Sequence, residues 1–125
     1  MRVLIVDDSA VMREQLVRMF AELPEEIELV GQARDAVEAT ESIRKLKPDT
    51  VILDIRMPGG SGIRVLRTLK KETPEISVVM LTSYPYPQYR KECLAAGADF
   101  FLDKSTEFDK LPEILRQLMW KSPAR

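Results

Sequence analysis

No histidine occurs anywhere in the 125 residues. That gap excludes a serine-histidine-acid triad, zinc held by imidazole, an imidazole general base and a phosphohistidine carrier. Cysteine occurs once, as Cys93, so no internal disulfide forms. Within Cys93-Leu94-Ala95-Ala96 it reads as a small buried hydrophobe rather than a reactive thiol. Neither sign of charge dominates: 19 basic residues face 20 acidic ones, a net −1, so no overall field draws the chain to nucleic acid or anionic lipid. No apolar run approaches membrane-spanning length, and the run from Met1 to Val6 is too short, before Asp7 and Asp8, for the core of a signal peptide. Repeats, low-complexity tracts and an internal linker are lacking too. The expectation is a soluble cytoplasmic protein without membrane association, whose chemistry is left to Asp, Glu, Lys, Ser, Thr, Tyr or a bound metal.

What is present suits one globular domain, with 45% hydrophobic and 31% charged residues. Short β-branched runs alternate with segments of helical period, the pattern of βα units wound into a parallel sheet covered on both faces. Strands are expected at Arg2–Val6, 28–32, Thr50–Leu53, 77–81 and 100–102. The first helix opens on Ser9 as N-cap, carries Met12, Leu16, Met19, Phe20 and Leu23 at helical spacing and stops before Pro24. Asp35, with Glu38 three residues on, caps the second, which buries Ala39, Ile43 and Leu46 and ends at Pro48. The third runs over 61–72 with Ile63, Leu66 and Leu69 inward. Pro85 and Pro87 delay the fourth, expected over 88–96 and ended by Gly97. The fifth, over 107–121, puts Leu111, Ile114, Leu115 and Leu118 on one face, with Pro112 in its first turn. Residues 1–121 thus form the domain, and 122–125 a tail or the start of a linker.

Ligands of an open parallel sheet bind beyond the carboxyl ends of its strands. The residues found there are Asp7 and Asp8 after the first strand, Asp54 after the third, Thr82 and Ser83 after the fourth and Lys104 after the fifth. Each has an ordinary alternative: an Asp caps a helix, a Thr ends a strand, a Lys is a solvated charge. Together they are harder to set aside, because clustered carboxylates repel unless a cation sits among them. Oxygen ligands without His or Cys suit Mg²⁺. A carboxylate so placed can attack phosphorus to give an aspartyl phosphate without a general base. Asp54 is the best nucleophile because it ends a central strand. Asp7 and Asp8 can supply metal ligands, while Thr82 and Lys104 offer a hydroxyl and an ammonium to phosphoryl oxygens.

The sequence resembles the receiver domains of bacterial two-component response regulators, over essentially the whole chain. The matching elements are Val3-Leu4-Ile5-Val6-Asp7-Asp8-Ser9, Pro48-Asp49-Thr50-Val51-Ile52-Leu53-Asp54-Ile55-Arg56-Met57-Pro58 with Gly62 after it, Leu81-Thr82-Ser83, and Gly97-Ala98-Asp99 leading to Lys104. The resemblance implies a CheY-like, flavodoxin-like α/β fold, a doubly wound five-stranded parallel sheet of order 2-1-3-4-5 with helices on both faces. It implies Asp54 as phosphoacceptor, Mg²⁺ held by Asp7, Asp8, Asp54 and the backbone carbonyl of Arg56, and phosphoryl contacts from Thr82 and Lys104. Phe101 falls at the family's switch aromatic, coupled to Thr82, and equally reads as an ordinary core aromatic. Ser105 replaces a proline common in relatives, so the Lys104–Ser105 peptide is expected trans. Arg56 and Tyr84 flank the site where receivers tune phosphate lifetime, and their bulk predicts a long-lived aspartyl phosphate.

The leading expectation is a phosphorylation switch served by a histidine kinase or phosphotransfer protein, catalysing only its own phosphorylation and dephosphorylation. Its output would pass to an unknown downstream protein through the face of the fourth helix, fifth strand and fifth helix. Tyr89, Arg90 and Trp120 are candidate contacts there, or packing residues, and a homodimer through this face is a further option. Nothing visible reads nucleic acid. An alternative is the receiver half of a truncated two-domain DNA-binding transcription factor. A magnesium phosphohydrolase is disfavoured, since Arg56 stands where its second acid would be.

Overall fold

Alternation along each strand decides which layer a side chain joins. In β1 (Arg2–Val6), Leu4 and Val6 pack on one face and Val3 and Ile5 on the other. The computed structural model describes residues 1–121, and 122–125 lie outside the described residues. The other strands of the main sheet are β2 (Glu28–Ala33), β3 (Thr50–Leu53), β4 (Ser77–Thr82) and β5 (Phe100–Asp103). All neighbouring pairs are parallel, and the order is β2-β1-β3-β4-β5, the doubly wound α/β arrangement expected. With β3 buried along its whole length, the sheet needs cover on both sides.

The helices supply that cover. On one face α1 (Ala10–Ala21) and α5 (Leu111–Lys121) bring Leu16, Phe20, Leu111 and Leu115 onto Ile5, Ile52 and Val79. On the other, α2 (Ala36–Leu46), α3 (Gly62–Glu72) and α4 (Pro87–Ala95) bring Ala39, Leu66 and Cys93 onto Val51, Leu53 and Met80. Cys93 is fully buried, and burial raises its thiol pKa to about 11.

Caps lie where the sequence places them, with instructive differences. Ser9 accepts from the Met12 N–H at 3.2 Å and Asp35 from the Glu38 N–H at 2.8 Å. Glu38 completes its side of the box one residue early, on the Arg34 N–H at 2.9 Å. The fifth helix does not start at 107: a 3₁₀ turn over Phe108–Lys110 precedes it. Pro112 has no N–H to give the Phe108 carbonyl, so the Leu111 N–H bonds it instead, which tightens the turn. The fourth helix takes in Pro87 at its first turn, where a missing N–H costs little. The Lys104–Ser105 peptide is trans, as expected.

A small antiparallel ribbon, Arg56–Met57 against Gly60–Ser61, was not foreseen. Gly59 and Gly60 turn it at φ +82 and +137. Behind it the chain passes very close to β3: the Gly62 N–H bonds the Ile55 carbonyl at 2.6 Å, and a Cβ on Gly62 would lie 1.8 Å from the Asp54 carbonyl oxygen. Only glycine fits there. Gly62→Ala is therefore expected to lower unfolding stability by at least about 3 kcal/mol. Gly59→Ala meets no heavy atom closer than 3.8 Å and should cost only its left-handed backbone, about 1–2 kcal/mol; urea denaturation of the two variants checks the ranking.

Candidate functional site

Register brings the acids together. Val6 pairs with Leu53, so the next residues, Asp7 and Asp54, leave neighbouring strands side by side. The Asp7 N–H bonds Ala33 O and the Asp54 N–H bonds Val6 O, both at 3.0 Å, carrying the sheet one residue further. From the other side Lys104 is fixed by its N–H on Thr82 O at 2.9 Å. Asp7 and Asp54 are 2% and 4% exposed, whereas Asp8 faces solvent.

Each buried carboxylate divides its oxygens in the same way. Asp7 Oδ1 accepts the Ser9 N–H at 2.9 Å and Asp54 Oδ1 the Ile55 N–H at 2.8 Å. Their Oδ2 atoms share the Lys104 ammonium, at 2.7 Å for Asp7 and 3.3 Å for Asp54. Burial is the chief influence on Asp54 and raises its pKa to about 6; Lys104 opposes the rise and Asp7 adds to it. For Lys104, burial disfavours the charge, but the hydrogen bond to Asp7 and the charges of Asp54 and Asp7 hold its pKa above the ordinary lysine value.

A metal fits this arrangement. Asp7, Asp8 and Asp54 each offer an oxygen within 4.8 Å of the others. Lys104 leaves the cluster at a formal −2, and an all-oxygen donor set suits a hard divalent cation. Asp54, Asp8 and Lys104 line an opening of about 410 Å³, shared with Arg56, Ser83 and Tyr84. A larger cavity, about 590 Å³, lies at the opposite end of the strands between α2 and α3. None of the candidate site residues lines it.

The remaining sequence candidates divide. Thr82 is wholly buried, its Oγ1 accepting the Tyr84 N–H at 2.9 Å, and it does not line the opening. Phe101 is buried in the core beneath α4, with Arg90 donating to its carbonyl at 3.2 Å and lying 5.6 Å from its ring centroid. Tyr89 is half-buried and turned to the site, where its hydroxyl meets Arg56 Nη2 at 3.2 Å. Trp120, 83% exposed, stands clear of the core. Two residues went unnoticed in the sequence. Arg13 donates to the Asp7 carbonyl at 2.7 Å, and the Ser9 N–H anchors the Asp7 carboxylate. Ser9 stands in the matching motif and reads as a cap, with nothing to show its N–H on the Asp7 carboxylate, and the reach of Arg13 across the first turn of α1 leaves no periodic signal.

Comparison with known proteins agrees with this layout. The family model for the response regulator receiver domain matches residues 3–116. The transcriptional regulatory protein LnrK of Bacillus subtilis is 33% identical over 110 residues, covering 88% of this chain and 50% of that protein. The chain spans about half the length of the curated relatives it matches. Among solved structures, the response regulator domain of Thermotoga maritima CheB is 34% identical at TM-score 0.87, covering 98% of both chains. The response regulator TrrA of the same organism, solved with Mg(2+)-BeF, is 35% identical at TM-score 0.80, covering 94% of this chain and 97% of that one.

Burial of Asp54 gives a stability prediction for the metal-free protein. Its folded pKa, about 6, lies above the ordinary 3.8. The native state therefore holds the proton more tightly, and the stability this contributes is complete below about pH 4 and lost as pH rises through 6. Asp54→Asn should match the wild type near pH 4 and exceed it by on the order of 2 kcal/mol at pH 7. Urea titrations across that range would show it, and added Mg²⁺ should narrow the gap at pH 7.

Proposed function

The chain belongs to the response regulator receiver domain family, and on that premise we propose that it is a phosphorylation switch whose Asp54 accepts a phosphoryl group from a histidine kinase or phosphotransfer protein. The observation that supports this best is the sharing of one ammonium, that of Lys104, by two buried carboxylates beside a third. Asp7, Asp8, Asp54 and the Arg56 backbone carbonyl would hold Mg²⁺. When bound, the ion offsets the charge on the transferring oxygens. An Asp54 oxygen attacks phosphorus in line as the donor's P–N bond breaks and the electron pair returns to the donor imidazole. With a pKa of about 6, Asp54 is already mostly ionised at neutral pH and no base is needed. Lys104 meets the negative charge gathering on the phosphoryl oxygens, and the Thr82 hydroxyl is the nearby group that can leave the Tyr84 N–H to do the same.

On this reading the protein catalyses only its own phosphorylation and dephosphorylation, works in the cytoplasm and passes its output through α4, β5 and α5 to another protein, with homodimerisation through that face as one form. A second reading makes it the receiver half of a DNA-binding transcription factor. It is favoured by the name of LnrK and by the match to half of such relatives. DNA contact would then belong to the other half, and this domain would touch no nucleic acid.

Intact-mass measurement tests the first step. With Mg²⁺ and a small phosphodonor, wild type should gain one phosphoryl group, Asp54→Asn should gain none, and chelation should suppress the gain; an unmodified wild type would overturn the switch. Arg56 and Tyr84 both line the mouth of the opening, where their bulk hinders water. Replacing both by alanine should accelerate loss of the phosphoryl group several-fold in a decay assay.

A further inference from the structure

The helix α4 is weakly seated. Cys93 is its one buried residue, and Tyr86 caps it without a side-chain hydrogen bond. Its first turn is held instead from outside, by Arg56. The guanidinium donates to Tyr89 Oη at 3.2 Å, lies 3.9 Å from the Tyr84 ring centroid and 5.8 Å from that of Tyr89. Tyr86 continues the stack, 6.3 Å from Tyr84 and 5.6 Å from Tyr89. Arg56 stands two residues after Asp54, on the ribbon turned by Gly59 and Gly60. One side chain thus joins the acid cluster to the start of α4.

We propose that Arg56 is a positioning residue for α4, a clasp that holds Tyr84 and Tyr89 while Asp54 is free and is drawn off them when a phosphoryl group arrives. This rests on the reading of Asp54 as phosphoacceptor. The argument is one of charge. Three carboxylates, Lys104 and a divalent ion sum to zero; a phosphoryl dianion in place of the Asp54 carboxylate leaves an excess of −1. Arg56 and Lys104 are the cations that line the opening, and Lys104 is already engaged by Asp7 and Asp54. Arg56 holds only neutral partners, a phenol hydroxyl and ring faces, which a charged acceptor displaces readily. Arg90, next to Tyr89 in α4, is itself engaged by the Phe101 carbonyl and ring. Loss of the clasp leaves the first turn of α4 to Pro87, the tyrosine stack and the hold of Arg90 on Phe101, so that turn loosens.

Amide hydrogen exchange across 87–95 tests this, in wild type, Tyr89→Phe and Arg56→Met, each at rest and after treatment with Mg²⁺ and a phosphodonor. Both variants keep the backbone carbonyl at 56 and the whole acid cluster. At rest they should exchange about fivefold faster than wild type in the first turn of α4, the factor lost with one hydrogen bond. Phosphorylated wild type should approach their rate, while the variants change little further. Intact mass keeps the two readings apart. A wild type that gains the phosphoryl group without faster exchange in α4 overturns the clasp alone. A wild type that gains nothing overturns the phosphoacceptor reading, and the resting comparison still decides whether Arg56 holds α4. Equal resting rates in all proteins, each folded by circular dichroism, overturn the clasp whatever the mass shows.

Discussion

Two carboxylates, Asp7 and Asp54, are taken out of water at the ends of adjoining strands, and a single ammonium stands between them. The rest of the molecule follows from keeping that arrangement intact. Burying a charge is unfavourable unless it is paired and hydrogen-bonded. Here each acid therefore spends one oxygen on a backbone N–H and the other on Lys104. The pairing is incomplete by design of the charges: with Asp8 at the rim the cluster keeps a negative excess that only an additional cation removes. A parallel sheet is what allows the placement, because its strands all point their carboxyl ends the same way and its two helical layers cover its faces.

Much of this could be read from the residues. The apolar runs around Val3-Leu4-Ile5-Val6 and Val51-Ile52-Leu53 announce buried parallel strands, since both faces need cover. Once they are strands, Asp7 and Asp54 must stand at their tips, and the absence of histidine narrows the chemistry to oxygen ligands. What could not be read depends on side chains meeting across the fold. Arg13 reaches the Asp7 carbonyl, Arg56 reaches Tyr89, and Arg90 reaches Phe101; in sequence Arg13 looks like a solvated charge, and nothing names the partners of Arg56 and Arg90. The 3₁₀ turn before α5 was hidden for a different reason. Pro112 is compatible with a helix start, and only the unmet carbonyl of Phe108 tells that the preceding turn must tighten.

The two ends of the coupling differ in stiffness. At the floor, Gly62 lets α3 press against the Asp54 carbonyl with no room for a methyl group, so the strand that ends at Asp54 and the start of α3 are tightly coupled. At the far side α4 has one fully buried residue, Cys93, with half-buried Tyr89 and the contacts of exposed arginines as further anchors. Low-stability elements of this kind are where fold and ligand can negotiate. On the proposed reading, a charge added at the acid cluster would act less on this tight floor than on the ribbon and loop that carry Arg56 and Tyr84.

Phe101 limits how α4 can respond. It lies in the same core cluster as Cys93 and Met80, with Tyr89 packed against that cluster. As phenylalanine it needs no hydrogen-bond partner while buried, where a tyrosine hydroxyl would. Any outward turn of its ring would leave a void beneath α4 with the energetic cost of a large-to-small core change, on the order of 3 kcal/mol. The helix above it is the element free enough to close that void, because so little else anchors it. On the proposed switch, ring and helix would shift as one, with Arg90, which bonds the Phe101 carbonyl from α4 itself, holding them in register.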